Sequence, residues 1–342
     1  MKRVWISRPG PPKVLEVREE PTPDPGPGEL RVRVRAAGVN FADLMARMGT
    51  YQDGPPPPCV VGYEVSGVVD AVGEGVSPAR EGERVLAATR FGGYASHVVV
   101  PAETCVALPA QLGLSEAAAL PVTGLTSWMI LEEMHRVRAG DRILVHSAGG
   151  ALGLVTCDLA KRRGATVVGT ASARKHAFLQ EWGFDRLVDY RSQDYEEVLA
   201  SGPKFDLVMD PLGGHHWGKG LRLLKPGGKL ACYGMSVNAE GHTARRLAMV
   251  RNLLRIPFVG MSAPRLINDN LGILGVNMGR LWDEKERLVG WLQALLGLVN
   301  SGELRLKVHA EVPFDDAAEA HRMLHDRENF GKVLLVPPDP CR

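Results

Sequence analysis

The sequence predicts an α/β protein in two parts: a partly closed β-barrel of short strands, then a six-stranded, doubly wound sheet with helices on its faces. Three observations predict it. Before Leu120, short alternating strands are separated by glycine and proline turns. After it, apolar strands alternate with helical stretches, as crossover connections require. Within that second part, the strand Ile143-Leu144-Val145-His146 runs straight into Ser147-Ala148-Gly149-Gly150-Ala151-Leu152-Gly153.

In chain order, residues 21–28 form a Pro/Gly loop, and residues 30–36 alternate apolar and basic side chains like a half-buried strand. Residues 63–73 read as a strand broken by Gly67, and residues 82–85 and 93–100 as further short strands. The sheet strands are expected at 143–146, 167–170, 187–190, 206–210, 229–234 and, after an insertion, 273–279. A helix over 154–163 follows the glycine turn. Residues 284–300 form an amphipathic helix, with Leu288, Trp291, Leu292 and Leu295 at helical spacing. The tail carries a strand (308–312), a helix (315–324) and a last strand (331–336). These have no place in a completed six-strand sheet. The chain is therefore expected to return to its first part, giving domains 1–121 with 282–342, and 122–281.

Composition narrows the class. The 342 residues suit two domains, and 45% hydrophobic with 23% charged residues is ordinary for a soluble enzyme. A net charge of +2 gives no reason to invoke nucleic acid. No long apolar run or signal peptide is read, so a cytoplasmic protein without a transmembrane helix is expected. The five cysteines (Cys59, Cys105, Cys157, Cys232, Cys341) are scattered without a CxxC pair and read as reduced thiols, with Cys157 and Cys232 in the core.

The strand, glycine turn and helix around Gly150 make a dinucleotide cradle. Gly150 admits the pyrophosphate, Gly153 lets helix and strand pack closely, and the free amides of the helix start face the phosphates. Ala148 stands at the first position of the usual three-glycine pattern. An NAD site places an acid at the end of the second strand, but none lies between Asp158 and Glu181. The strand ends in Thr170-Ala171-Ser172-Ala173-Arg174-Lys175-His176 instead. A hydroxyl and two cations suit a 2′-phosphate, so NADPH is expected, unless Arg174 and Lys175 merely solvate a helix start.

Gly62-x-Glu64-x-x-Gly67 with Val72-Gly73 resembles the early signature of the medium-chain dehydrogenase/reductase superfamily, and the likeness spans essentially the whole chain. In that superfamily's zinc alcohol dehydrogenases, a histidine ligand precedes the glutamate. Here that residue is Tyr63, and the place of the first cysteine ligand reads Gly38-Val39-Asn40. The structural-zinc loop is also missing, with only Cys105 nearby. Asn and Tyr do not make a zinc site, so no metal is expected. Val39-Asn40-Phe41-x-Asp43, Tyr51, Thr123-Gly124-Leu125-Thr126 and His146-Ser147-Ala148-Gly149-Gly150 resemble the zeta-crystallin-type quinone oxidoreductases. Within them, Asn40-Phe41-Ala42-Asp43-Leu44-Met45-Ala46-Arg47, Val208-Met209-Asp210-Pro211-Leu212-Gly213-Gly214 and Gly331-Lys332-Val333-Leu334-Leu335-Val336-Pro337 are most similar to the synaptic vesicle membrane protein (vesicle amine transport protein) homologues.

The resemblance implies a GroES-like barrel, a Rossmann domain and a homodimer. It implies a metal-free reductase of quinones or activated enones, which are electron-poor enough to need only positioning and a hydrogen-bond donor. One-electron and hydride transfer both stay open. By the resemblance, Asn40 contacts the nicotinamide ribose, Tyr51 stands at the substrate mouth, Asp43 orients, and Tyr63 lines the pocket. Each has a structural alternative: Asn40 bonding loop backbone, Asp43 capping the next helix, Tyr51 on the surface. Thr126 lies near the nicotinamide or bonds its own helix. Ala148, Gly149, Gly150, Leu152 and Gly153 hold the pyrophosphate, and Ser172, Arg174, Lys175 and Tyr190 the adenosine phosphate. Met235, Asn277 and Met278 face the cleft, unless the methionines are core.

Two patterns are set aside. Gly213-Gly214-His215-His216-Trp217-Gly218-Lys219 begins a phosphate loop, but Gly220 stands where Ser or Thr must hold magnesium. The adjacent His215 and His216 are expected to point apart into solvent. A second function class also stands: the same fold binding lipid or a partner, with peripheral membrane contact. The apolar insertion 253–274 (Leu253, Ile256, Phe258, Val259, Met261, Leu266, Ile267, Leu271) motivates it.

Overall fold

The computed structural model describes residues 1–77, 81–239, 254, 256, 258 and 261–338. The first part holds β1 (Lys2–Ile6), β2 (Leu15–Glu19), β3 (Glu29–Gly38), α1 (Phe41–Met48), β4 (Glu64–Val72), β5 (Arg84–Ala88), β6 (His97–Pro101), β7 (Cys105–Ala107) and α2 (Leu114–Ala117). There follow α3 (Pro121–Trp128), β8 (Arg142–Val145), α4 (Ala151–Arg162), β9 (Thr166–Ala171), α5 (His176–Trp182), β10 (Arg186–Asp189), α6 (Tyr195–Ala200), β11 (Phe205–Asp210), α7 (His215–Leu223), β12 (Leu224–Cys232), α8 (Ala263–Asp269) and β13 (Gly272–Gly275). The chain ends in α9 (Lys285–Asn300), β14 (Val308–Pro313), α10 (Ala317–His325) and β15 (Lys332–Val336).

Strand β3 organises the barrel. Leu30, Val32, Val34 and Ala36 are buried while Arg33 and Arg35 face out, as the alternation predicts. One edge of β3 pairs with β4; the other pairs first with β6 and then, at Ala37 and Gly38, with β15. The last strand thus lies beside the residues that lead into Asn40. Gly67 does not break β4: a side chain there would overlap the Arg33 carbonyl, so the glycine permits close approach within a continuous strand. The hairpin of β1 and β2, absent from the sequence reading, hangs on the barrel through Val4 N to Tyr94 O (2.9 Å) and Ile6 N to Cys59 O (2.8 Å).

The second sheet is wholly parallel, in the order β10-β9-β8-β11-β12-β13. The order reverses between β8 and β11, which opens a crevice beyond their carboxyl ends. Several expected boundaries move. The strand expected at 93–100 begins at His97, and that at 229–234 begins at Leu224. The strand expected at 273–279 stops at Gly275, because the Asn277 side chain accepts from Gly279 N (2.9 Å) and starts a short turn. Of the insertion, Leu253 and Val259 fall outside the described residues, as does Cys341 at the end of the chain. Leu254, Phe258 and Ile267 are exposed.

A continuous core joins the two parts. Leu86 and Val106 of the barrel, Leu120 and Leu125, Trp291 and Leu295 of α9, and Ile143 and Val145 of β8 belong to one cluster. One run among the described residues, Leu114–His135, is long and apolar enough to cross a membrane, though 67% of its most apolar window is buried in the fold. Cys157 is buried, and Cys232 is partly buried and packs against the apolar core of the second sheet.

Candidate active site

The glycine turn lies at the reversal point of the parallel sheet. Ser147 takes a left-handed φ of 55°, Ala148 N donates to Thr170 O (3.1 Å), and α4 begins at Ala151 with no side chain capping it. Its first-turn amides therefore lack a protein cap and suit an anion. A Cβ at Gly153 would lie 2.5 Å from Ala148 O, so this glycine lets helix and strand close together. A Cβ at Gly150 would meet only Ser147 O, at 3.4 Å. The protein itself does not fill that space, which leaves room for a ligand. Ala148 fits where a glycine is usual because Gly169, opposite, has no side chain: a Cβ there would lie 2.8 Å from the Ala148 methyl.

Past the end of β9, cations gather. Arg174 and Lys175 lie over the Phe330 ring (5.3 and 5.1 Å), and Arg327 lies over Tyr190 (5.5 Å). Burial first, then Arg174, Arg191 and Arg327, push the Lys175 ammonium down to about 8. Burial raises the Tyr190 phenol, but the Arg327 and Arg191 guanidiniums outweigh it and hold the group below the usual tyrosine range. A cavity of about 440 Å³ opens between Arg174, Arg191, His309, Asp326, Glu328 and Phe330. The Lys175 ammonium does not point freely into it; it donates to the Asn329 carbonyl and is buried. Ser172 is buried beside it.

At the other end of the crevice, Asn40 precedes α1. Its backbone N–H donates to Asp43 Oδ2 (2.8 Å), which caps the helix start. Asp43 is fully buried and also accepts from Gly62 N (3.1 Å) and the Tyr94 hydroxyl (3.0 Å). Burial raises its carboxyl to about 7, against the lowering effect of these bonds. The Asn40 amide nitrogen donates to Glu64 Oε1 (2.8 Å), and its oxygen accepts from Lys332 Nζ (2.7 Å). Lys332 also pairs with Glu64. Glu64 Oε2 accepts from Val122 N (2.7 Å), so a barrel carboxylate caps the first turn of α3. Thr126, farther along α3, donates to Val122 O (2.7 Å), its own helix.

Tyr51 and Tyr63 meet edge to face, 6.4 Å between centroids, and Phe91 lies 5.1 Å from Tyr63. Tyr63 is buried and Tyr51 partly so; burial raises both phenols, so both stay protonated at neutral pH. The loop after Tyr51 is latched across the cleft: Asp53 accepts from Asn277 Nδ2 (2.8 Å) and pairs with Arg280. Asn277 is exposed, while Met278 packs on the main core. Met235 sits against the Gly213 turn, its Cα 3.0 Å from where a Gly213 Cβ would be.

Asn40, Asp43, Tyr51 and Tyr63 thus share one end of the crevice, and Ser172, Arg174, Lys175 and Tyr190 the other. Sequence reading missed Glu64, Tyr94, Arg191, Arg327, Phe330 and Lys332 as members of these clusters. Two of them left a signal: Glu64 sits in the Gly62-x-Glu64-x-x-Gly67 pattern, and Lys332 heads an otherwise apolar final strand. His215 is exposed, as expected, but the expectation that the two histidines point apart and that His216 is solvated is corrected. Their rings lie 4.1 Å apart, and His216 stacks on Tyr195, whose hydroxyl meets its Nδ1 (3.0 Å). Burial holds His216 down to about 4. Among the described residues, no cluster of His, Cys, Asp and Glu is able to hold a metal.

The chain matches the family models described as zinc-binding dehydrogenase, over residues 182–335, and alcohol dehydrogenase GroES-like domain, over residues 26–110. It belongs to the medium-chain dehydrogenase/reductase superfamily of oxidoreductases, in the quinone oxidoreductase-like branch that includes the VAT-1 homologues. The synaptic vesicle membrane protein VAT-1 homolog of Rattus norvegicus is 40% identical over 306 residues, 89% of this chain and 75% of the relative. A quinone oxidoreductase of Pseudomonas aeruginosa is 32% identical over 98% of this chain and 99% of its own. Among solved structures, the Escherichia coli quinone oxidoreductase complexed with NADPH superposes with a TM-score of 0.86, at 29% identity, over 98% of this chain and 100% of that one.

Proposed function

We propose that the protein is a zinc-independent, NADPH-dependent reductase of quinones or activated enones, working in the cleft between a barrel domain (1–121 and 282–342) and a nucleotide domain (122–281). The cation cluster of Arg174 and Lys175 over Phe330, with Arg191 and Arg327 against Tyr190, beside an uncapped helix start, carries this reading. The start of α4 holds the pyrophosphate at Ala148, Gly149, Gly150, Leu152 and Gly153. The cluster with Ser172 holds the 2′-phosphate. Asn40 and Thr126 border the nicotinamide end, with Met235 at the crevice edge. A reduced nicotinamide held there would supply the acceptor with two electrons and its ring hydrogen, leaving the oxidised cofactor. Tyr51 donates a hydrogen bond, then a proton, to the acceptor oxygen that gains charge, and is reprotonated from solvent. Asp43 orients Asn40. Tyr63, Asn277 and Met278 bound the acceptor pocket. Asn40 and Tyr63 stand where zinc enzymes place ligands, and neither is a zinc donor of the usual kind. Polarisation by a metal is therefore not part of the proposal, and an acceptor that is already electron-poor suits the site. We further propose a cytoplasmic homodimer.

The test is NADPH oxidation with a small panel of quinones and enones, run beside NADH and with a chelator. Chelator-resistant turnover preferring NADPH is the expected result. Stoichiometric zinc whose removal abolishes turnover would overturn the metal-free reading. A second reading, a lipid- or partner-binding protein with weak turnover, is favoured by one observation: Leu254, Phe258 and Ile267 are large apolar side chains left in solvent. Flotation with liposomes, without turnover of any acceptor, is the outcome that would reverse the order.

A further inference from the structure

The buried charges at the head of β15 form a closed triangle with Asn40. Lys332 is 2% exposed and Glu64 not at all. The ammonium donates to the Asn40 oxygen (2.7 Å) and to Glu64, while Glu64 accepts from the Asn40 nitrogen (2.8 Å). The two ends of a carboxamide are nearly the same size, so shape alone does not fix which way it faces. Here charge fixes it. Turning the amide over would set its NH₂ against the ammonium and its oxygen against the carboxylate. Gly38 makes room for this arrangement: a Cβ there would overlap the Glu64 carboxylate.

The residue before Lys332 is tied to the cofactor cradle. Gly331 N donates to Gly149 O (3.0 Å), Asn329 Nδ2 donates to Gly331 O (2.6 Å), and the Asn329 carbonyl accepts from Lys175. Segment 329–332 therefore touches the glycine turn at one end and Asn40 at the other. Folding alone does not require such a pair, since a buried ion pair adds little over a neutral pair of similar volume.

We infer that Lys332 is a positioning residue: with Glu64 it locks the Asn40 amide in one orientation toward the bound nicotinamide, in register with the glycine turn. The inference rests on the placing of Asn40 in the active site.

Lys332→Met alone strands Glu64 without its counter-charge and is expected to fold poorly. The informative variant is Lys332→Met with Glu64→Gln, which leaves a neutral pair. Asn40→Ala is made in the wild type and in this background, and kcat, the acceptor KM and the NADPH dissociation constant are measured for all four proteins. The neutral-pair variant is expected to melt within a few degrees of wild type, and its kcat to fall about 30-fold with little change in acceptor KM. Asn40→Ala is expected to lower kcat about 30-fold in the wild type but less than about threefold in the variant, because its orientation is already lost. Equal losses in both backgrounds, or full kcat in the neutral-pair variant, would overturn the inference while leaving the reductase reading intact. If the wild type reduces no acceptor, the reductase reading fails instead. The same four-protein cycle, read by NADPH fluorescence, then decides the inference alone: coupling between Asn40 and the pair supports it, and additivity overturns it.

Discussion

Arg327 sits at a left-handed φ of 59° with its guanidinium over Tyr190, far from the glycine turn in sequence. A charged hydrogen bond to a phosphate is worth about 1.5–3 kcal/mol, so Arg327→Gln is expected to weaken NADPH binding about 10- to 100-fold and leave NADH unchanged. Fluorescence titration of both cofactors checks this; an equal loss for both would place Arg327 outside the phosphate site. At the opposite end, Tyr51→Phe keeps the ring and removes the phenol proton. It is expected to lower kcat by about 100-fold with the acceptor KM little changed, in steady-state assays. Unchanged kcat would remove Tyr51 from the chemistry. The difference between these two residues also shows what a sequence reveals. Tyr51 lies close in the chain to the motif that carries Asn40, so the sequence already grouped the two. Arg327 carries no motif, and only the return of the chain sets it beside Tyr190.

Among elements, the interiors of strands and helices were legible and their ends were not. The alternation in β3 and the helical spacing of Leu288, Trp291, Leu292 and Leu295 reflect burial, which recurs along an element. An end depends on one local bond, such as Asn277 to Gly279 N, which periodicity does not encode. The end of β8 has a measurable consequence. His146, just beyond it, is 1% exposed, with Nδ1 3.0 Å from the Thr170 hydroxyl and its ring 4.6 Å from Tyr195. Burial first, and His216 second, push its pKa down to about 3. A base depressed in the folded state contributes stability that is present above its unfolded value of about 6.5 and is lost as pH falls. Asp43 and Asp210, both raised to about 7, act with the opposite sign: their stability is lost as pH rises from about 4. His146→Phe removes one proton from the unfolded side of this balance. Between about pH 6 and 4, the slope of unfolding free energy against pH, from urea titrations, is expected to be lower than in wild type by about 1.4 kcal/mol per pH unit. Identical slopes would mean that His146 is already protonated in the folded protein.

In the whole molecule, the two ends of the crevice are joined by residues 329–332, whose strand was legible but whose contacts were not. Sequence patterning predicted that the chain returns to the barrel, because its last strands had no place in a finished six-strand sheet. It did not show that the returning segment crosses the glycine turn on its way to Asn40. Gly331 is where this crossing is most constrained. Its φ is 90°, its N–H holds Gly149 O, and a Cβ would overlap the Lys307 carbonyl. Gly331→Ala therefore forces both strain and displacement, at a cost of about 2 kcal/mol or more. If the segment sets the turn, NADPH affinity must fall as well, although residue 331 is not itself placed among the phosphate contacts. Strain alone is controlled by Gly302→Ala. Gly302 has a φ of 77°, nothing lies within 4 Å of its missing Cβ, and it sits just past α9. That variant is expected to lose about 1 kcal/mol with no change in NADPH binding. Urea unfolding and NADPH titration of the two variants separate the cases. If both lose stability and both bind NADPH like the wild type, the crossing is only a support, and the two ends of the crevice are set independently.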